Sequence, residues 1–344
     1  MGPDDITAVR ISEIMGGEVG AIESTRIGDG LVGLNLRVRL LDAAPELPDS
    51  VVIKLPSIDE TSRATGIALR NYEREVKFYL QVAHTVDIRV PECHFGEWDE
   101  ATGDFTLVLE DMAPAEQGDQ VTGCSVERAE AAVEELALLH APRWDDPALH
   151  DIDWLGRRTS TEAVTGVAAL WSMFHGPFLE TYAKHLSTEQ VDLSRAFGPR
   201  ILDWMGDREG PLAITHGDYR LDNLLFGTTA GGPAVTAVDW QTPGHGPPVA
   251  DLAYFLGAGL LSDERAIAER SLLDRYAAAL AERSVDVDSS WLWTQYCRES
   301  FGGVVMAVVA SQVVGGNARS ESMFAAMATR HLQHALDTGA LDLI

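Results

Sequence analysis

His216-Gly217-Asp218-Tyr219-Arg220-Leu221-Asp222-Asn223, followed by Asp239-Trp240-Gln241, is the stretch on which the reading of this chain turns. It sets a carboxylate, an amide five residues on and a second carboxylate sixteen further on into one short region. Phosphoryl transfer uses such a set. One carboxylate orients the attacking hydroxyl, while an amide oxygen and a second carboxylate hold the Mg²⁺ ions that bridge the nucleotide phosphates. Short apolar runs surround these residues: 211–215 leads into the motif, 224–226 follows Asn223, and 234–238 delivers Asp239 to a strand end. Polar residues at the tips of short apolar strands mark the edge of a site rather than a core. The residues alone leave a second reading open, a His-Gly-Asp turn beside an unrelated buried Asp.

Upstream, the pattern is that of strands. Residues 22–26 and 34–41 alternate apolar and polar side chains, and Gly28, Gly30 and Gly33 lie between them. A dinucleotide-binding fingerprint would be followed directly by a helix. Here a period-two run follows, so the glycines join two strands. Without side chains they let the backbone approach phosphate oxygens and donate N–H groups to them; an ordinary glycine hairpin is the plainer alternative. Lysine occurs only at Lys54, Lys77 and Lys184. Lys54 sits inside the apolar run Val51-Val-Ile-Lys-Leu55. A buried ammonium needs a partner, whereas an edge-strand lysine facing water does not. Residues 67–83 have helical spacing and carry Glu73 and Glu75, of which Glu75 is favoured because residues two apart on a helix face different sides.

With the spacing of Asp218, Asn223 and Asp239, the chain resembles the aminoglycoside phosphotransferase-like kinases, small-molecule relatives of the protein kinases. Asp239-Trp240-Gln241 looks closest to the ecdysteroid-kinase-like and hydroxyacyl-type branches. The resemblance spans about residues 25 to 260 and implies ATP and Mg²⁺ as cofactors. It implies that Asp218 is the base or hydroxyl-orienting carboxylate and that Asn223 and Asp239 are metal ligands. It places Lys54 on the α/β phosphates and paired with Glu75. Gly28, Gly30 and Gly33 become a nucleotide lid. Glu110-Asp111-Met112-Ala113-Pro114 becomes the hinge, with Glu110 and Met112 among the nucleotide-binding residues. Arg220 is placed to stabilise charge on the transferring phosphoryl group, with a surface or acid-paired arginine as the alternative. His216 and Asp251 are expected to brace the catalytic loop, and His140 to be a packed, hydrogen-bonded core residue. Asp222 either faces the acceptor or caps the turn.

The expected architecture is α+β, a protein-kinase-like two-lobe fold. Residues 1–110 form a small antiparallel β-sheet N-lobe with one long helix, and 111–344 form a larger, mostly helical C-lobe with the catalytic loop and acceptor site. Residues 93–98 and 105–109 complete a five-stranded sheet. Thr159 with Glu162, and Ser187 with Gln190, have capping-box spacing ahead of two C-lobe helices. Further helices are expected at 126–140, 263–283, 290–314 and 320–337.

The formal net charge of -27 opposes binding to nucleic acid or anionic lipid. It suits either a cationic acceptor or a merely solvating acidic surface. Cys93, Cys124 and Cys297 are sparse and lack metal-ligand spacing, which points to a reducing, cytoplasmic setting. No signal peptide is evident in the polar, acidic N-terminus, and 304–314 is too short to span a bilayer. The expected activity is ATP-dependent phosphorylation of a small-molecule hydroxyl. After Asp239 there is no protein-kinase activation segment or Ala-Pro-Glu signature, which argues against a protein substrate. One rival is a nucleotide-binding pseudokinase or scaffold, against which the joint presence of Lys54, Asp218, Asn223 and Asp239 argues. Another is a hydrolase using Asp218 and His216, which leaves Lys54 and the glycines unexplained.

Overall fold

The computed structural model describes residues 2–28, 33–206, 210–313 and 318–344, and the chain divides into two compact units. The first unit comprises Met1–Thr85, Val90–Ala115 and Val238–Thr242; the second comprises Val86–Arg89, Glu116–Ala237 and Pro243–Ile344.

In the first unit, strands β1 (Val19–Arg26), β2 (Gly33–Ala43), β3 (Ser50–Pro56), β4 (Cys93–Trp98) and β5 (Phe105–Glu110) form one antiparallel sheet in the order β1-β2-β3-β5-β4. Position in the sheet explains composition. Edge strand β1 is largely exposed and carries Glu23, Ser24 and Thr25, whereas β5 is buried from Phe105 to Leu109. Helix α1 (Ala8–Met15) sets Ile11 against Val38, Val51, Ile53 and Val108 in one apolar cluster.

The helical period over 67–83 is interrupted. Helix α2 (Glu60–Ala68) ends, Arg70 takes a left-handed φ of 57°, and α3 (Asn71–Lys77) begins. It continues as a π turn over Phe78–Val82 and a 3₁₀ turn over Ala83–Thr85. The reversal lets Tyr72 stack on Phe105 at 4.6 Å and pass over Gly66, where any Cβ would lie 2.5 Å from its ring. A non-glycine residue in this conformation costs about 1–2 kcal/mol. Here Glu73 receives the Arg70 guanidinium through two hydrogen bonds of 2.7 and 2.9 Å. The break and the wide π turn shift the phase of the buried face. Leu69 and Leu80 are exposed, while Phe78 and Val82 are buried.

The second unit is mostly helical: α4 (Val126–His140), α5 (Thr161–Tyr182), α6 (Thr188–Phe197), α7 (Ile201–Gly206), α8 (Pro248–Gly259), α9 (Ser262–Ala281), α10 (Ser289–Val313) and α11 (Ala318–Asp337). Two small sheets accompany them. One joins β6 (Glu116–Gln117) to the hairpin of β9 (Leu224–Thr228) and β10 (Gly231–Ala237). The other joins β7 (Gly156–Arg157), β11 (Gly244–Gly246) and β8 (Ala213–Thr215). Helix α5 is capped by Ser160, which accepts from the Ala163 amide, and not by Thr159; the helix starts one residue later than the expected box requires. Ser187 and Gln190 form a reciprocal capping box at α6. Trp171, Phe178, Phe197, Trp204, Phe301 and Phe324 fill the core, with Phe197 stacked on Phe301 at 4.1 Å. Each such side chain contributes about 1.5–3 kcal/mol by leaving water. No described helix is long and apolar enough to cross a membrane.

His331 and His334 of α11 are fully buried, and among the described residues no ring nitrogen of either has a hydrogen-bond partner. Burial, with Arg265 and Arg330, pushes His331 down to about 3. Burial, Arg265 and His331 hold His334 well below the ordinary histidine value. The unfolded chain takes up both protons as pH falls through about 6.5, while the folded chain resists them. Their contribution to stability is therefore full above that value and lost progressively below it. The melting temperature should fall between about pH 7 and pH 5, and less steeply in His334→Leu; a parallel pH dependence in the variant contradicts this account.

Candidate active site

In the second unit, β8 carries the chain to His216 and Gly217. Gly217 has φ +80°, a left-handed conformation that an L side chain adopts only with strain. The backbone N–H groups of His216 and Gly217 both donate to the carboxylate of Asp251, at 2.6 and 2.9 Å. Asp251 lies in the first turn of α8 and is 3 % exposed. Its other neighbour is His140 Nε2 at 3.6 Å, and His140 Nδ1 pairs with the Tyr276 hydroxyl at 2.8 Å. Burial raises the Asp251 carboxyl, but the His140 contact and the fields of His140, His216 and Arg158 outweigh it and hold it below the usual carboxylate range. The Asp218 amide donates back to His216 Nδ1 at 3.3 Å, and the Tyr219 hydroxyl donates to the Ala132 carbonyl of α4 at 2.9 Å. The loop is thus fixed from β8, α8 and α4.

The Asp218 carboxylate receives side-chain donors from three residues: Arg220 Nε at 3.2 Å from each oxygen, the Tyr254 hydroxyl at 2.8 Å on Oδ1, and Asn223 Nδ2 at 2.9 Å on Oδ2. Arg220 also pairs with Asp222. Burial works against the Arg220 charge, and Asp218 and Asp222 outweigh it, so the guanidinium stays protonated. Asp222 accepts in addition from the Gln120 amide at 3.0 Å, while Gln120 Oε1 receives the Leu221 amide at 2.9 Å. Asn223, having committed its nitrogen to Asp218, can offer a cation only its oxygen.

In the first unit, the Lys54 ammonium of β3 is 6 % exposed and meets two carboxylates, Glu75 of α3 and Asp239 Oδ1, the latter at 2.8 Å. Glu73 lies elsewhere on the helix, between Arg70 and Lys77. Burial opposes the Lys54 charge, but Asp239 and Glu75 outweigh it and hold the ammonium well above the ordinary lysine range. Glu75 is raised by its complete burial, with Lys54 pulling the other way. The Gln241 side chain lies 3.5 Å from that of Asn71. Trp240 is fully buried and stacks on Phe78 of the π turn, centroids 3.7 Å apart and planes 4° from parallel. Asp239 has φ +66° and keeps its side chain 37 % exposed.

Of the other expected nucleotide-binding residues, Gly28 has φ +65° and Gly33 opens β2, whereas Gly30 lies outside the described residues. Glu110 ends β5 and accepts from the Glu92 amide at 3.0 Å; the Met112 carbonyl accepts from Ala115 at 2.9 Å. Between them Asp111 takes Arg37 at 2.7 and 2.9 Å and the Ser50 hydroxyl at 2.7 Å, which fixes this segment to β2 and β3. Sequence reasoning missed Tyr254, Gln120 and Gln241. Only the helical spacing of Tyr254 from Asp251 could have flagged one of them.

A sequence profile of the phosphotransferase enzyme family matches residues 35–290, and the chain belongs to that family. No curated protein shows significant sequence similarity to it. Among solved structures, the choline kinase of Cryptosporidium parvum superposes with TM-score 0.59 at 10% identity, covering 92% of this chain and 89% of that one. A provisional aminoglycoside phosphotransferase of Ralstonia eutropha gives 0.54 at 17% identity over 96% and 97% of the two chains. The streptomycin–ATP ternary complex of APH(2″)-IIa gives 0.52 at 12% identity over 92% and 96%. The fold is protein-kinase-like, α+β with a five-stranded antiparallel sheet and a mostly helical remainder.

Replacing Asp251 by Ala takes their acceptor from the buried His216 amide and the half-buried Gly217 amide. Hydrogen bonds to charged groups contribute about 1.5–3 kcal/mol each, and the two share one carboxylate. Urea denaturation should show a loss of about 3 kcal/mol; an unchanged midpoint would mean that the loop is held from elsewhere.

Proposed function

We propose that this protein transfers the γ-phosphoryl group of ATP to a hydroxyl of a small molecule. The observation that carries the reading is the buried Lys54 ammonium held between Glu75 and Asp239. An ammonium so aimed is a preformed partner for phosphate oxygens, and Glu75 fixes its direction. Lys54 would engage the α/β phosphates, with Gly28 and Gly33 flanking the lid segment and Glu110 and Met112 in the strand-end segment serving the nucleotide. The ATP-bound neighbour supports the choice of nucleotide.

Asp239 and Asn223 are the proposed Mg²⁺ ligands. Both offer hard oxygen donors. Among the described residues no cluster of three or more His, Cys, Asp or Glu side chains could hold a metal alone. That fits a cation held by one or two protein oxygens together with substrate phosphates. When bound, Mg²⁺ offsets the charge of the phosphates.

Asp218 is proposed to receive the acceptor hydroxyl. The hydroxyl oxygen forms a bond to the γ-phosphorus, the bond from that phosphorus to the bridging oxygen breaks, ADP leaves, and the hydroxyl proton passes to Asp218. Arg220 is proposed to steady Asp218 and offset developing charge beside it. Its pairing with two carboxylates gives the first role more support than the second. An acceptor of neutral or positive charge suits the net charge of -27, and the three free cysteines suit a reducing cytoplasm.

The test is ATP-to-ADP conversion over a panel of hydroxyl acceptors that includes choline and streptomycin, run in parallel with GTP. Asp239→Asn, which tolerates the left-handed backbone while removing the charge, should strongly weaken Mg·ATP binding; wild-type binding removes Asp239 from the metal site. Asp218→Asn should keep nucleotide affinity and lower kcat by about 10²–10⁴. Lys54→Ala should weaken ATP engagement, and Lys54→Arg should not restore it, since a planar fork does not replace a compact ammonium. Wild-type kinetics in Lys54→Ala would defeat the nucleotide assignment.

A further inference from the structure

We infer that Tyr254 is a positioning residue for the transfer, its hydroxyl holding the Asp218 carboxylate in the orientation that receives the acceptor hydroxyl. This rests on the function proposed above for Asp218.

An ionised carboxylate has about four lone-pair sites on its two oxygens. At Asp218, Oδ1 takes Tyr254 at 2.8 Å and Arg220 Nε at 3.2 Å, and Oδ2 takes Asn223 at 2.9 Å and the same Arg220 Nε at 3.2 Å. The four sites are therefore all engaged, but not equally. A single Nε–H shared between two oxygens makes two long contacts, whereas Tyr254 and Asn223 each hold one oxygen at ordinary length. The shared Arg220 contact is the one an acceptor hydroxyl can displace. Tyr254 and Asn223 then keep one oxygen each and prevent rotation about a terminal torsion that is otherwise soft.

Tyr254 is itself held in place. It is 7 % exposed, and its ring lies parallel to His331 within 13° at 5.5 Å between centroids. His331 is packed against Gly257 and Gly303 so closely that a Cβ at either would meet its ring at 2.4 and 2.1 Å. Tyr254 stands one turn after Asp251 on α8, and residues three apart share a helix face. One turn of α8 therefore sets both the backbone of the loop, through Asp251, and its carboxylate, through Tyr254. Burial, and then Asp218 itself, keep the phenol protonated and hence a donor.

Tyr254→Phe removes the hydroxyl and keeps the ring on His331. In nucleotide-free protein, thermal unfolding of Tyr254→Phe, Asp218→Ala and the double variant should show losses that do not add, because both singles remove one contact. Additive losses overturn the contact. With Mg·ATP as the probe and water in the acceptor's place, phosphate release should fall about tenfold in Tyr254→Phe, with Mg·ATP affinity within about twofold of wild type. In the Asp218→Ala background the same substitution should add less than about a twofold change. Wild-type release from Tyr254→Phe, alongside loss in Asp218→Ala, overturns the inference and leaves the proposed function standing. Equal release from wild type and Asp218→Ala overturns that function, and this inference with it.

Discussion

A lysine ammonium that is almost withdrawn from water has to be surrounded by anions, and the first unit is arranged around that requirement. Lys54 lies within β3 with its side chain almost wholly withdrawn from water. Glu75 and Asp239 supply the charge, and each demands structure of its own. Glu75 is carried on α3, which starts after the left-handed break at Arg70. Asp239 comes from far along the sequence, and the segment 238–242 belongs with the first unit although β10 and β11 on either side of it belong to the second. Removing one partner of such a set costs more than the set contributes as a whole, because an unpaired buried charge remains.

The second unit meets a related requirement with backbone. A loop that presents polar side chains leaves amides needing acceptors, and burial forbids water to supply them. Asp251 takes two of these amides on one carboxylate, and His140 with Tyr276 supports it from behind. The backbone at His216 and Gly217 is therefore held by Asp251 and not through the Asp218 carboxylate. The two units use opposite means to hold charge: opposed ions around Lys54, oriented N–H dipoles around Asp251.

Much of this was legible in the sequence because it is local. The spacing of Asp218, Asn223 and Asp239 is set by a loop and one hairpin, and the strands announce themselves by alternation. The single helix expected over 67–83 is broken inside for a physical reason: a regular 3.6-residue period cannot register a left-handed residue at Arg70 or a π turn at Phe78, each of which shifts the phase. Ser160 replaced Thr159 as cap because adjacent hydroxyls offer the same signal, and the start of the helix decides between them. Tyr254, Gln120 and Gln241 were invisible for another reason. Their partners lie tens of residues or more away, and nothing in a tyrosine or glutamine marks which distant group it will meet.

Gly257, Gly303 and His331 sit on three different helices and share one small volume. None of the three can drift alone. A side chain gained at either glycine needs a smaller ring at His331, and a smaller ring at His331 removes the surface on which Tyr254 lies. A side chain at either glycine is therefore tied to a change at His331. A substitution at Gly303 would therefore reach Tyr254 through His331, and the Asp218 carboxylate through Tyr254.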